Sequence, residues 1–459
     1  KNIIKPVATV EGGDFFYIDF SQDEFYLGGS SFAQSQDRIG NNTPCVLDAA
    51  YFKRAFNTVQ DHIKAGKVSA GHDIGSGGLI ASLLELCFPS LNIGMDLDFS
   101  CLHETDLVKI LFSEKVGIIL QSNFDLNSSF SKNGVKALKI GIVNQNSMLK
   151  IGDINISINH MREEWMKTST QLELKQTNSE LALLRLDNVI KQPLKFKFPS
   201  KFFGKRPLQK IKRLNAAVIR EKGSNSEREM AYMMDLSGFK VRDVHMTDLI
   251  EGRETLEDIR LLVAVGGFSN SDVLGSAKGW AGAFRYNAKA RAAIENFFSR
   301  KNTLSLGVCN GCQLFIELGL LNAKQTQRPK MMHNKSGKFE CIFTAVNIIP
   351  SSSIMLKGLE GSILGIWAAH GEGRFSLPKA EINYQIPAKY LYEEYPSNPN
   401  GSDYNAAMLA SNDGRHLVMM PHLERSTFPW NWGHYPHNRK DEVSPWILAF
   451  ENAYNWLSK

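Results

Sequence analysis

A cysteine at the junction of an apolar strand and a helix constrains the fold of this chain more than any other feature. The apolar run Leu304–Val308 ends at Cys309, and the helical pattern Leu314–Leu318 follows closely. A tight strand-to-helix turn is where an α/β enzyme presents a nucleophile, because the turn projects the side chain above the sheet. The N-terminus of the following helix stabilises a thiolate. The stretch therefore predicts a nucleophilic cysteine, with a redox pair between Cys309 and Cys312 or half of a zinc site as alternatives.

Buried strands alternate with helices along the second half of the chain. The segments that carry this pattern are Ala216–Ile219, Ser226–Met234, Leu261–Val265, Ala290–Phe298 and Leu304–Val308. The alternation predicts an α/β fold with a mostly parallel sheet flanked by helices. Ligands of such folds bind at the carboxyl ends of the strands, which is where Gly266, Gly267 and Cys309 fall.

Composition bounds the class of protein. The 459 residues are 43% hydrophobic and 22% charged with a net charge of +6, which is ordinary for a globular chain of about three domains. No stripe of basic and aromatic residues indicates a nucleic acid, and no apolar run approaches the roughly 20 residues of a membrane span. Six cysteines form no disulfide framework in so long a chain, so we expect a reducing, cytoplasmic location and neither nucleic-acid nor membrane partners.

Strand, helix and linker signals divide the chain into zones. The first zone contains a strand at Phe15–Phe20, and the second begins with the helical pattern Ala50–Phe56 and ends in a polar helix around 161–188. A basic, strand-free stretch then precedes the α/β pattern. The predicted segments are 1–48, 49–205, a linker at 206–212, and 213–459.

A cysteine nucleophile needs a proton acceptor and a group that orients this acceptor. His422 and Glu424 directly follow the strand-like run His416–Met420. Side chains two residues apart in an extended or turn segment point the same way, so Glu424 can orient His422 toward Cys309. Taken alone, the His-x-Glu spacing favours an incidental histidine beside a surface glutamate.

Taken together, these segments resemble a class I (triad) glutamine amidotransferase domain and, more narrowly, the phosphoribosylformylglycinamidine synthase family. The segments of 213–459 that carry the resemblance are Val265–Ser269, Asp272–Gly275, Gly307–Gln313, His333–Glu340, Ala369–Arg374, Tyr395–Ser402, Pro421–Arg425, Trp432–Gly433 and Ser444–Trp446. Leu27–Ser30 and Ala70–Leu79 resemble the second aminoimidazole-ribonucleotide-synthetase-like half of that family. The resemblance implies an α+β synthetase-like domain, with 1–48 the end of its N-terminal subdomain and 49–205 its C-terminal subdomain, before a class I glutaminase domain.

The resemblance also implies a mechanism. Cys309 attacks the carboxamide carbon of glutamine, His422 moves the proton, and Glu424 fixes the histidine tautomer. A glutamyl thioester forms and ammonia leaves, and water then releases glutamate. The complete enzyme uses the ammonia with ATP and Mg²⁺ to convert formylglycinamide ribonucleotide to formylglycinamidine ribonucleotide. The residues implied in oxyanion and substrate binding are Gly266, Gly267, Asn310, Gln313, His370, Gly371 and Glu372.

The chain departs from the family pattern in two places. Leu423 stands where the family has proline between the histidine and the glutamate, which loosens the backbone without removing either group. Gly75 and Ser76 replace a serine and an aspartate in a turn that lies near nucleotide phosphates and Mg²⁺ in the family. Asp73 remains as the candidate metal ligand and Gly75 as the candidate nucleotide contact, with a plain glycine-rich turn as the alternative.

The family's N-terminal domain and first synthetase-like half carry most of its substrate and ATP site. The 459 residues contain no counterpart of the N-terminal domain or of the first synthetase-like half. We therefore expect a fragment or processed piece that has those domains as partners. Alone, it is expected to be at most a glutaminase. Two alternatives remain open: a non-catalytic structural or regulatory fragment, and a class I amidotransferase for another acceptor.

Overall fold

The structure, a computed structural model, describes residues 3–321, 327–436 and 438–459. The chain packs into two compact units, Lys1–Gln171 and Leu172–Lys459. The domain boundaries at 48, 205 and 213 rest on sequence pattern rather than on packing, and they stay predictions. All six cysteines are free thiols. Within the described ranges, no helix combines the length and the apolar character needed to cross a membrane.

The described part of the first unit contains a seven-stranded sheet and helices of five to 19 residues. Its strands are β1 Asp14–Asp19, β2 Ala70–Asp73, β3 Gly94–Leu97, β4 Gly117–Ser122, β5 Leu138–Asn144, β6 Met148–Ile151 and β7 Ile154–Ser157. Its helices are α1 Ser31–Ser35, α2 Ala49–Lys64, α3 Gly78–Cys87, α4 Leu107–Phe112, α5 Leu126–Ser131 and α6 Ile158–Gln176. The last of them, α6, continues past the boundary into the second unit. The strand order is β2-β4-β1-β5-β3-β6-β7; among these seven strands β3 and β6 pair in parallel, and the other neighbours pair antiparallel.

The central strand β1 is buried on both faces. Phe15 and Tyr17 pack into one apolar cluster, whereas Phe16 and Ile18 pack into another. Because successive strand residues point to opposite faces, the unbroken apolar run of β1 supplies both clusters.

The second unit contains a larger sheet of nine strands and an antiparallel pair formed by β12 and β15. The strands of this unit are β8 Leu214–Arg220, β9 Phe239–His245, β10 Leu261–Ala264, β11 Leu304–Val308, β12 Lys330–Met332, β13 Glu340–Ile348, β14 Ile363–His370, β15 Arg374–Ser376, β16 Gln385–Tyr390, β17 Ala406–Ala410 and β18 His416–Met419. Its helices are α7 Ser179–Asn188, α8 Glu227–Leu236, α9 Met246–Glu251, α10 Lys278–Tyr286, α11 Ala288–Ser299, α12 Asn310–Leu318 and α13 Ile447–Leu457.

The single polar helix predicted around 161–188 is two helices, α6 and α7. Asn178 stands between them in a non-helical conformation, with φ −54° and ψ 131°, and its side chain accepts a hydrogen bond from the Glu180 N–H. Asparagine is among the strongest N-cap residues, so this position begins a new helix rather than continuing α6.

The sheet of the second unit is mixed, in the order β14-β13-β16-β17-β18-β11-β10-β8-β9. The five strands from β18 to β9 are parallel, and the remaining pairs are antiparallel. The α/β class predicted from the sequence is confirmed. Most of the parallel half comes from the region where strands and helices alternate along the chain, whereas β13, β14, β16 and β17 follow one another without an intervening α-helix and pair antiparallel.

The parallel registers bring three strand ends to one edge of the sheet. Ala264 of β10 lies opposite Gly307 of β11, and Val308 of β11 lies opposite Met419 of β18. Because these strands run in the same direction, the residues that follow each of them emerge at the same edge. Cys309 therefore meets the segments that follow β10 and β18.

Candidate active site

Cys309 occupies a strained turn between β11 and α12. Its φ is 50° and its ψ −106°, a conformation that a non-glycine residue rarely adopts. Its N–H donates to the Met419 carbonyl at 2.8 Å, and its Sγ lies 3.5 Å from the Ala369 carbonyl oxygen. Gly311 makes this path possible, since a Cβ there would lie 2.0 Å from the backbone oxygen of Ala264. Strain of this kind persists only where the surroundings hold it, and it is common at active sites.

His422 and Glu424 form a buried pair after β18. His422 Nδ1 lies 2.6 Å from Glu424 Oε1, and the two residues are each only 2% exposed. The His422 N–H donates to the Trp367 carbonyl at 2.7 Å, and Glu424 begins a short 3₁₀ turn that ends at Ser426. The pair is thus fixed at both its backbone and its side chains.

Gly266 shows how closely the histidine approaches the cysteine. A Cβ on Gly266 would lie 2.8 Å from His422 Cε1 and 3.3 Å from Cys309 Cβ, so the missing side chain leaves room for both groups. The structure therefore brings Cys309 and His422 together beside Gly266, with Glu424 at His422 Nδ1, and the catalytic roles of the three residues stay a prediction.

Electrostatics favour a charged pair here. Burial would lower the pKa of His422, but the charges of Glu424 and Cys309 outweigh it and raise that pKa well above its ordinary value. Burial would raise the pKa of Glu424, but the His422 charge outweighs it and the pKa is lowered. Complete burial raises the pKa of Cys312 far above that of a free thiol, so its packing role is favoured over redox chemistry.

A cavity of about 280 Å³ opens beside Cys309. The candidate residues that line it are Gly267, Cys309, Gln313, His370, Gly371, Glu372 and His422. Gly266, Asn310 and Glu424 stand behind this lining. Asn310 donates from its side chain to Gln313 Oε1 at 3.0 Å, and Gln313 donates to the Glu372 carbonyl at 2.8 Å, so these amides brace the wall.

His370 is a neutral wall residue. Burial and the His422 charge lower its pKa to about 4. Its Nε2 lies 3.4 Å from Asn400 Nδ2, and its carbonyl accepts from Asn334 Nδ2 at 2.7 Å. Gly373 packs beneath the ring, because a Cβ there would lie 2.5 Å from His370 Nδ1.

Sequence reasoning assigned no role to several residues of the lining. They are Asn225, Phe268, Asp272, Ser276, His333, Gly337, Lys338, Phe339, Ala369 and Arg425. Asp272 is the most informative of them. Asp272 is the last of three consecutive residues with left-handed backbone conformation, Asn270 to Asp272. Burial and the Glu372 charge raise the pKa of Asp272, although hydrogen bonds from neighbouring residues act to lower it. The aspartate three residues after Phe268-Ser269 was the signal available in the sequence.

The residues around Asp73 and Gly75 do not fit a magnesium–nucleotide site. The Asp73 side chain is 87% exposed, and the described residues contain no cluster of three or more His, Cys, Asp or Glu able to hold a metal ion. The N–H of Gly77 at the start of α3 donates to Glu114 Oε1 at 2.9 Å, and the Ser31 N–H donates to the same oxygen at 2.8 Å. The chain's own carboxylate therefore fills the position where a helix N-terminus would bind phosphate.

Two family models match the chain: the CobB/CobQ-like glutamine amidotransferase domain over residues 213–457, and the C-terminal domain of AIR synthase related proteins over residues 26–153. The chain belongs to the CobB/CobQ-like glutamine amidotransferase family. Similar curated proteins include a probable phosphoribosylformylglycinamidine synthase, chloroplastic/mitochondrial, of Arabidopsis thaliana, 39% identical over 97% of this chain and 34% of that protein. The phosphoribosylformylglycinamidine synthase of Dictyostelium discoideum is 37% identical over 97% of this chain and 37% of that protein.

Among solved structures, PurLQS from Thermotoga maritima aligns with 54% of this chain and 100% of its own chain, at 24% identity and a TM-score of 0.42. The present chain spans about a third of the length of its curated relatives.

Proposed function

We propose that this chain is the glutamine-hydrolysing part of a phosphoribosylformylglycinamidine synthase. The observation that carries the proposal is the buried group of Cys309, His422 and Glu424 at the edge of a cavity that lies within an amidotransferase domain. Each of the three residues has the environment that its role requires. The nucleophile Cys309 lies in a strained turn, His422 lies beside a group of opposite charge, and the orienting Glu424 is a buried anion.

The reaction follows from these positions. The Cys309 thiolate attacks the carboxamide carbon of glutamine, and the carbonyl oxygen becomes an oxyanion. Protonated His422 gives its proton to the leaving nitrogen, so ammonia departs and a glutamyl thioester remains. His422 then takes a proton from water, which attacks the thioester and releases glutamate and the thiolate. Backbone N–H groups near Gly267 and Asn310 are our candidates for the oxyanion donors, each worth on the order of 3 kcal/mol.

The cavity also suits the two charges of free glutamine. Its lining contains two carboxylates, Asp272 and Glu372, and the guanidinium of Arg425. An amino acid has one ammonium and one carboxylate, so a lining with groups of both signs favours it over a ligand of a single charge. The volume of about 280 Å³ holds an amino acid of this size.

The acceptor half of the reaction belongs to the longer relatives. We propose that formylglycinamide ribonucleotide, ATP and Mg²⁺ are bound by synthetase domains beyond these residues, because the turn at Gly75 does not fit a nucleotide. A cytoplasmic location stays our expectation from the free cysteines, although the Arabidopsis relative is named for chloroplast and mitochondrion. Imaging of a fluorescent fusion of the complete protein distinguishes the two.

The strained cysteine also weighs against a purely structural role, because such a backbone costs about 1–3 kcal/mol without a chemical return. An amidotransferase for another acceptor is disfavoured by the names of the relatives, which share a single reaction.

The test is glutamate release from glutamine by the purified chain. We expect Cys309→Ala to abolish release while the fold is kept, and Cys312→Ala, a matched change three residues away, to retain it. Retained release in Cys309→Ala would contradict the assignment.

A further inference from the structure

One wall of the glutamine cavity is held from outside by a cluster of ionic side chains. Gly337, Lys338 and Phe339 line the cavity directly before β13 begins at Glu340. Outside this wall lie Glu173, near the end of α6, and Arg185 of α7.

Glu173 receives most of the contacts. Its Oε1 accepts from Lys338 Nζ at 2.5 Å and lies 3.2 Å from Arg185 Nε. The hydroxyl of Tyr395 is 3.2 Å from the same oxygen and 3.0 Å from Glu340 Oε1, so it donates to one carboxylate or the other. Burial would raise the pKa of Glu173, but Lys338 and Arg185 lower it overall. Glu173 is therefore an anion held between two cations.

Arg185 closes the cluster. Its guanidinium bonds Glu340 Oε2 at 2.9 Å, contacts the Tyr395 hydroxyl, and lies 4.7 Å from the centre of the Tyr395 ring. The cluster thus contains two cations and two anions, and Glu340 is only 3% exposed, so loss of any one charge leaves a partly buried charge without its counterpart.

Two further contacts join α7 and the residue after α6 to segments next to the cavity wall. Thr177 Oγ1 donates to the Ser336 carbonyl at 2.5 Å, at the start of the wall. Asn188 donates to the Tyr395 carbonyl at 2.7 Å, and the segment that follows Tyr395 contains Asn400, the neighbour of His370. The helices therefore act on the wall and on the support of His370 together.

We propose that Glu173 and Arg185 are positioning residues for glutamine. They touch neither the substrate nor the reacting atoms, but they hold the Gly337–Glu340 wall in the shape that binds the amino acid. The inference rests on the proposed glutaminase function. It predicts that loss of the cluster weakens glutamine binding and leaves the reactivity of Cys309 unchanged.

The test uses an electrophilic glutamine analogue that alkylates Cys309. The rate of alkylation, measured against analogue concentration, gives the binding constant KI and the maximal rate kinact separately. The measurement needs no turnover of glutamine. Adducts are assigned to Cys309 by peptide mass spectrometry. In Glu173→Gln we expect KI to rise about tenfold, equivalent to about 1.4 kcal/mol, with kinact within about twofold of the parent chain. Glu173→Asp, which keeps the charge on a shorter arm, recovers part of the loss.

Two controls separate positioning from general damage. Alkylation of Cys309 by iodoacetamide, which needs no glutamine pocket, stays at the parent rate in Glu173→Gln. Glu254→Gln removes a carboxylate that lies 2.6 Å from the Arg242 guanidinium. Neither residue lines the cavity, so we expect this variant to leave KI unchanged. An unchanged KI in Glu173→Gln overturns the inference.

If Glu173→Gln does not fold, Thr177→Val replaces it, because this change removes only the hydrogen bond to Ser336. We expect Thr177→Val to raise KI about threefold. An unchanged KI in this variant would contradict the inference. A parent chain that the analogue does not label at all contradicts the proposed function instead. The two failures are therefore distinguishable.

Discussion

The replacement Glu424→Gln isolates the charge of the orienting glutamate. Glutamine has the same shape, and its oxygen can still accept from His422 Nδ1, which lies 2.6 Å from Glu424 Oε1. The other oxygen, Oε2, is buried and accepts no hydrogen bond in the described part of the chain, so an amide nitrogen there breaks no contact. With charges about 4 Å apart and an effective dielectric constant of about 20, the lost attraction is about 4 kcal/mol.

That loss falls on the imidazolium that donates a proton to the leaving ammonia. A barrier higher by about 4 kcal/mol slows the reaction about 10³-fold. The assay is the rate of glutamate release, with thermal unfolding as the check on folding and Glu229→Gln, an exposed glutamate on α8, as the matched control. We expect kcat to fall by about three orders of magnitude and KM to change little. A rate within tenfold of the parent chain would refute the claim that the Glu424 charge supports His422.

Two further predictions concern stability. Burial lowers the pKa of His370 and of His416 to about 4. Between pH 6.5 and 4 the unfolded chain therefore binds protons that the native chain does not. The free energy of unfolding decreases as the pH falls through this window, by up to about 3 kcal/mol for each histidine, and increases again as the pH rises. Denaturant unfolding at pH 7 and pH 5 measures this loss, and equal midpoints would contradict it. Gly311→Ala places a Cβ against the Ala264 oxygen and should lower stability by about 2 kcal/mol, whereas Gly282→Ala in α10, where the nearest atom is 4.0 Å away, should not; equal midpoints for the two variants would exclude the steric explanation.

The active-site turn could be predicted from sequence because its signals are local. The strand Leu304–Val308, the helix after Cys309 and the glycine at 311 lie within fifteen residues, and each has a strong preference of its own. The meeting of Cys309 with His422 depends on the parallel register of β11 with β18, which no local pattern specifies. The family resemblance supplied that pairing in advance.

Other features depend on tertiary contacts and could not be predicted. The antiparallel half of the sheet forms from strands that follow one another with irregular spacing, so the alternating pattern gave no account of it. The cluster around Glu173 joins residues more than 150 positions apart, and its charges look like those of any solvated helix. The Glu114 contact with Gly77 likewise shows only in three dimensions why the glycine-rich turn does not fit a nucleotide.

The central claim is that Cys309 attacks glutamine, and its most direct test is the stoichiometry of labelling by the electrophilic glutamine analogue. Intact-protein and peptide mass spectrometry would be run on the parent chain with and without excess glutamine. We predict one adduct per chain, located on Cys309, with protection by glutamine and no adduct on Cys312. Labelling spread over the exposed thiols Cys45, Cys101 and Cys341, with no protection by glutamine, would contradict the account.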